Sequence, residues 1–372
     1  MELRIARAEP QKTRPWTARL SLELHLDIFG YLSPLDLVRY GRVNKTARAA
    51  IAFYIASKFR KLLSGYFNPE GEILQFRHLQ AKFGVLISGS TVVQLLDRVK
   101  YPDSDLDIYA GYAFSPRKDQ KERFVDFCSG EYSDNDLGPL NWPSPEVFGY
   151  ECRGMADVWN FHRGDKKIQL ITAERTPMEI ILSFHSTAPM NVISHSMVCC
   201  LFPKATFKEK RALVVSRAQA AGKQKYIDRG WRLFDSALAY DATNSRSEFQ
   251  AGELRWVGDK KCLTLSFPDV ESFGTSDRLL YSLQANSWRL KYDKDSRVVV
   301  EHDVIGENGF AYCVADGHMF ESILRGTSGF DDLSKTIARG PSQYRHLLRD
   351  PSSSILSWVL STQSLKRGCA ES

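Results

Sequence analysis

Phe83-Gly-Val-Leu-Ile-Ser-Gly-Ser-Thr-Val-Val-Gln-Leu-Leu-Asp-Arg-Val-Lys-Tyr-Pro-Asp-Ser-Asp-Leu-Asp-Ile-Tyr109 is the stretch on which the reading turns. An apolar run, Val85-Leu86-Ile87, enters a turn of small residues at Ser88-Gly89-Ser90. Apolar residues then recur at Val92, Val93, Leu95, Leu96 and Val99, the spacing of a helix, and Pro102 closes it. Leu106, Ile108 and Tyr109 predict a strand in which Asp105 and Asp107 alternate with apolar residues. Two carboxylates two positions apart on a strand point to one face. The helix start at Gly89-Ser90 offers free N–H groups and a positive dipole end, suited to a phosphate. A pair of oxygen ligands on one face suits Mg²⁺, which takes a few carboxylates together with substrate phosphates.

Gly89, Ser90, Asp105 and Asp107 in this context resemble the nucleotidyltransferase superfamily of the polymerase-beta type. Its signature is Gly-Ser at a helix start followed by Asp-h-Asp on the next strand. The resemblance implies nucleotide binding at Gly89 and Ser90 and metal binding, with catalysis if active, at Asp105 and Asp107. Active members carry a third carboxylate between apolar residues on a neighbouring strand. Here Ala156–His162 and Lys167–Ile171 read as paired strands joined by Arg163-Gly164-Asp165, and the matching position is Ile168-Gln169-Leu170. Gln169 is neutral, so it cannot act as a general base and is a poorer Mg²⁺ ligand than a carboxylate. Asp157, Asp165 and Glu174 lie nearby in sequence but off that position.

Upstream, Ser21–Ile51 predicts short helices with clear punctuation. Leu24, Ile28, Phe29 and Leu32 mark one face of the first. Ser33 suits an N-cap, with Pro34 at the first helical position, Asp36 behind it, and Leu35, Leu37 and Val38 on the apolar side. Gly41 ends this helix, and Asn44 caps a third that runs to about Leu63. This pattern resembles the F-box, the module that docks on the Skp adaptor of cullin-type ubiquitin ligases. Ser21 replaces the proline with which that family usually begins. The resemblance implies that Leu24, Ile28, Leu32, Pro34, Leu35, Leu37 and Val38 divide between the module's core and the adaptor groove.

The expected fold class is α+β. A leader at 1–18 precedes an F-box at 19–63, a nucleotidyltransferase-like domain at 72–213, a mixed strand-rich region at 214–350 and a tail at 351–372. A helix is expected around Ile73–Lys82, an exposed one over Pro116–Asp126, a turn-rich loop over Ser129–Pro145 and a short helix from Thr176-Pro177 to Leu182. The string Ser183–Asn191 is similar to one in fungal F-box proteins that also carry the Gly-Ser and Asp-Leu-Asp elements. His162, His185 and His195 read as structural, because no nucleophile elbow or zinc spacing accompanies them. Two β-hairpins are expected further on. One pairs Arg255–Val257 with Cys262–Phe267, the other Trp288–Tyr292 with Arg297–Val300.

Composition is that of a globular protein, 43% hydrophobic and 25% charged, with no apolar run of membrane-spanning length and no secretory signal. Seven scattered cysteines fit reduced thiols in cytoplasm or nucleus. Residues 1–65 hold 12 Lys and Arg against 5 Asp and Glu. Those charges are interleaved with helical apolar positions, so they describe solvated helix faces better than a nucleic-acid contact.

Two functions compete. In the first, the chain is an adaptor that holds the Skp subunit and captures an unknown client. In the second, it is an Mg²⁺-dependent nucleotidyltransferase carrying an F-box. Gln169 favours the adaptor, with the middle domain serving client or nucleotide binding.

Overall fold

A computed structural model describes residues 20–67, 70–102, 104–111, 153–268, 283 and 286–304. The expected leader at 1–18, the helix over Pro116–Asp126, the loop over Ser129–Pro145 and the tail from Pro351 lie outside the described residues. The chain is a mixed α+β protein, with helices at the N-terminal end and a multistranded sheet.

The second and third helices begin where the caps predict, and a serine also caps the first. Helix α1 (Leu22–Tyr31) starts at Ser21, whose hydroxyl accepts from the Leu24 N–H at 3.4 Å. In α2 (Pro34–Gly41), Ser33 Oγ accepts from Asp36 N at 3.2 Å and donates to its carboxylate at 2.7 Å. Helix α3 (Lys45–Leu63) opens with Asn44 Oδ1 accepting from Ala47 N at 2.8 Å. Each of these caps satisfies an N–H that the helix itself leaves free. Helix α4 (Glu70–Phe83) begins three residues before the apolar spacing implies.

The central sheet has seven strands in the order β10-β6-β5-β1-β2-β4-β3. They are β1 (Leu86–Ile87), β2 (Leu106–Gly111), β3 (Met155–Arg163), β4 (Lys166–Ala173), β5 (Asn191–Ile193), β6 (Met197–Cys200) and β10 (Leu263–Ser266). Helix α5 (Ser90–Asp97) connects β1 to β2, which run antiparallel, while β2 and β4 are parallel. The hairpin of β3 and β4 closes through Gly164-Asp165, and Gly164 takes the positive φ (59°) that such a turn needs. Helix α5 stops at Arg98, in left-handed backbone (φ 56°, ψ 34°), before Val99 and Pro102 are reached.

Strand alternation separates two cores. Ile87, Leu106, Ile108, Ile168, Leu170 and Leu263 face one cluster, which also takes Phe29, Leu37, Ile55, Phe59 and Phe76 from the N-terminal helices. Leu86, Tyr109, Ile171, Val192 and Cys199 face the other, beside helix α6 (Pro177–Ile181), Trp288 and Leu290. The N-terminal helices therefore share a core with the sheet. Arg98 adds a polar link, donating to the carbonyls of Phe29 (2.7 Å), Gly30 (2.6 Å) and Leu32 at the end of α1.

One expected hairpin does not form. Strand β9 (Arg255–Trp256) joins β11 (Asn286–Tyr292), whereas β10 pairs with β6 at the edge of the central sheet. Asp259 gives the reason. Its carboxylate accepts from the Arg255 side chain and from the backbone N–H groups of Trp256, Lys261 and Cys262, a tight knot that sends the two strands into different sheets. The second expected hairpin is present as β11 and β12 (Val298–Val304). The remaining elements are a π-helical turn at Lys204–Lys208, a parallel pair of β7 (Arg211–Leu213) with β8 (Arg232–Phe234), and helices α7 (Ala220–Asp228) and α8 (Ala239–Thr243).

Candidate functional site

The small-residue turn and the acidic strand are stitched together at three points. Ser88 N donates to Asp107 O at 3.3 Å, and Thr91 Oγ1 donates to Asp105 O at 3.1 Å. Ser90 Oγ and Ser104 Oγ lie 2.6 Å apart, and the Gln94 amide donates to Ser104 Oγ at 2.9 Å. Gly89 occupies the cap position of α5 with φ 72° and ψ −144°, a conformation that L side chains rarely adopt. Gly89, Ser90, Asp105 and Asp107 are therefore brought together.

Asp107 continues as a row across three strands. Its register partner on parallel β4 is Gln169, whose partner on antiparallel β3 is Asn160. One arm of the Gln169 amide lies 3.2 Å from Asp107 Oδ1, and the other lies 3.1 Å from Lys167 Nζ and 2.8 Å from Asn160 Oδ1. Charge assigns the nitrogen to the first arm, so that the amide donates to the carboxylate and accepts from the lysine, and the Asn160 amide, turned the same way, places its own nitrogen against the Gln169 oxygen. Lys167 Nζ also lies 3.5 Å from Asp105 Oδ2. The third position of the site is thus an amide and a cation.

Burial pushes the Asp107 carboxyl up to about 7, with the neighbouring Asp105 adding to it and Lys225 and Lys167 working against it. Tyr66 reaches the same site from the end of α3, donating from its hydroxyl to Ser104 O at 2.8 Å. Its phenol is raised to about 12 by burial and then by Asp107 and Asp105. Arg163 donates to the Tyr66 carbonyl and pairs with Glu72 at 3.6 Å. The other acids near Gln169 in sequence stand apart from the row. Asp165 is exposed at the turn, Glu174 lies past the end of β4, and Asp157 pairs with Thr172 three register steps away.

The family resemblance implies Mg²⁺ here. Asp105 and Asp107 supply two oxygen-bearing groups, but a lysine ammonium stands 3.5 Å from Asp105 and the third place is an amide. Among the described residues no group of three or more His, Cys, Asp or Glu side chains could hold a metal ion. This donor set does not fit Mg²⁺, because a fixed cation already offsets part of the charge that such an ion would neutralise.

Sequence reasoning missed Lys167, Asn160, Tyr66 and Lys225. Lys167 was within reach, since it lies two residues before Gln169 on the same strand and so shares its face. Tyr66 and Lys225 arrive from distant helices without a local signal. His185 is buried over Gly222 with its ring 5.3 Å from that of Tyr226, and burial, with Lys223 nearby, lowers it to about 4. It is neutral at physiological pH.

The expected docking residues of the N-terminal helices divide cleanly. Leu37 is 2% exposed and Pro34 is buried with it. Ile28, Leu32, Leu35 and Val38 are half-buried against the same core, while Leu24 is 52% exposed. Among the described residues no helix is long and apolar enough to cross a membrane. No known protein family, curated protein or solved structure matches the chain.

Proposed function

We propose that the chain is an F-box adaptor, docking through residues 19–63 on the Skp subunit of a cullin-type ubiquitin ligase in cytoplasm or nucleus. A degenerate nucleotidyltransferase-like domain then serves client or nucleotide binding. One observation carries the docking. Of the eleven large apolar side chains exposed among the described residues, five (Leu22, Leu24, Tyr31, Val43 and Phe53) lie on the first three helices or between them. The same helices bury Phe29, Leu37, Ile51 and Ile55, so a core has formed and apolar surface is left over. Gathered into one patch, apolar surface of that kind is what a docking partner would cover, and this supports the adaptor reading.

The test is capture of the purified Skp adaptor by the full chain. The pair Leu24→Ala and Tyr31→Ala removes exposed apolar surface without touching the core, and binding should fall at least about tenfold, as expected for truncated interface anchors. An intact, folded chain that does not bind the adaptor ends this reading.

The rival is an Mg²⁺-dependent nucleotidyltransferase carrying an F-box. It is favoured by the meeting of Gly89, Ser90, Asp105 and Asp107. Gln169 and Lys167 weigh against it, since phosphoryl and nucleotidyl chemistry leans on metal-held charge at that place.

A further inference from the structure

A cavity of about 590 Å³ lies beside the β7–β8 pair and helix α8, lined by residues from Lys204 to Glu248. Its acids are fully engaged. The Glu209 carboxylate accepts from Lys204 Nζ at 3.1 Å and Arg211 Nε at 2.5 Å. Asp241 is gripped by two nitrogens of Arg211 at 2.6 and 3.0 Å and by Ser247 Oγ at 2.8 Å. Buried Glu248 accepts from the backbone N–H groups of Lys204 (2.7 Å) and Ala205 (2.9 Å). Every carboxylate oxygen in the lining is therefore held by a fixed donor.

Two cations are left over. Arg232 and Arg246 also line the cavity, both are exposed, and neither guanidinium has a hydrogen-bonding or ionic partner among the described residues. Beside them stand the rings of Phe234, half-buried, and Tyr240, 72% exposed. Arginine forks match the oxygens of a dianionic group, and guanidinium and aromatic faces both accept a planar ring. The volume lies in the range of small-molecule sites. The geometry points to a binding site for a phosphate monoester on a planar aromatic body, the size of a nucleoside monophosphate, read by Arg232 and Arg246. This site is separate from the one at Asp107.

Calorimetry on the full chain tests it with four probes: AMP, phenyl phosphate, adenosine and inorganic phosphate. AMP and phenyl phosphate should bind, AMP at least about tenfold more tightly than either adenosine or inorganic phosphate. The pair Arg232→Glu and Arg246→Glu should weaken AMP more than tenfold, while Asp107→Asn leaves it unchanged. Both arginines are exposed, so the fold should survive; if reversal unfolds the chain, Arg232→Gln with Arg246→Gln must still lose AMP. Adenosine binding as well as AMP would overturn the role of the phosphate, and inorganic phosphate binding as well as AMP would overturn that of the ring. AMP binding that is absent, or unaffected by the arginine pair, overturns the site. Loss of AMP in Asp107→Asn alone would move the ligand to the other site and overturn the assignment.

Discussion

A methyl group added to Gly89 would stand 2.8 Å from Asp107 Oδ2, so the turn comes this near the acidic strand only because position 89 carries no side chain. Gly89→Ala should therefore suffer twice, from its φ of 72° and from the carboxylate. A non-glycine residue held in that positive-φ region costs on the order of 1–3 kcal/mol. Urea unfolding should show a loss of about 2 kcal/mol or more. In a double-mutant cycle with Asp107→Gly, the contact part should vanish and leave the backbone part. Simple additivity within about 0.5 kcal/mol would show that the two residues do not meet as described.

Asp107 also makes stability depend on pH. Its folded pKa, about 7, lies above the value of an unfolded aspartate, so between those values the native chain binds more protons than the unfolded one. Stability from this group is present at low pH and is lost as pH rises toward 7. Glu248, raised to about 7 by burial, slopes the same way, while His185, lowered to about 4, slopes the opposite way. The diagnostic is thus a difference. Melting of Asp107→Asn against wild type from pH 4.5 to 8 should favour the asparagine progressively more as pH rises. A flat difference would mean that Asp107 is ionised throughout and solvated.

Much of this was legible in the sequence where the signal is local. Ser33 and Asn44 announced two helix starts because a cap needs only its next three residues. The Gly89-Ser90 turn and the Asp105–Asp107 spacing were readable for the same reason. The pairing of β10 was not, since Asp259 bends a segment that otherwise alternates like a hairpin, and the partner of β10 lies over sixty residues upstream. Tyr66 and Lys225 could not be found at all, because tertiary packing alone brings them to the site.

Arg98 tests how firmly the first helices are tied to the rest. It ends α5 in left-handed backbone and sends its guanidinium to three carbonyls at the end of α1. Arg98→Ala should cost about 1–2 kcal/mol, tempered by exposure, and should speed amide exchange in residues 22–31 more than in β2. Arg98→Gly loses the same bonds but relieves the backbone, so it should unfold later than Arg98→Ala. Equal exchange in α1 for wild type and Arg98→Ala would show that apolar packing alone holds the helix.

The amide in the acidic row holds the place of a third carboxylate without its charge. Gln169 donates to Asp107 and accepts from Lys167, so the charge of the site is already partly offset by its own residues. Gln169→Glu puts a third carboxylate at the same length, and Lys167→Gln removes the competing cation. Each should raise Mg²⁺ affinity over wild type, and the two together should raise it most, by at least about tenfold. The gain is readable by calorimetry or as a concentration-dependent rise in melting temperature, since a ligand bound only to the folded state stabilises it by mass action. Nucleotidyl transfer by the wild type should be absent or very slow, and a slow reaction in the double variant would identify missing charge as the defect. Tight Mg²⁺ binding by the wild type that Gln169→Glu leaves unchanged would overturn this account. Robust wild-type transfer abolished by Asp107→Asn would go further and hand the site to the enzyme reading, with the completing acid drawn from outside the row of Asp107, Gln169 and Asn160.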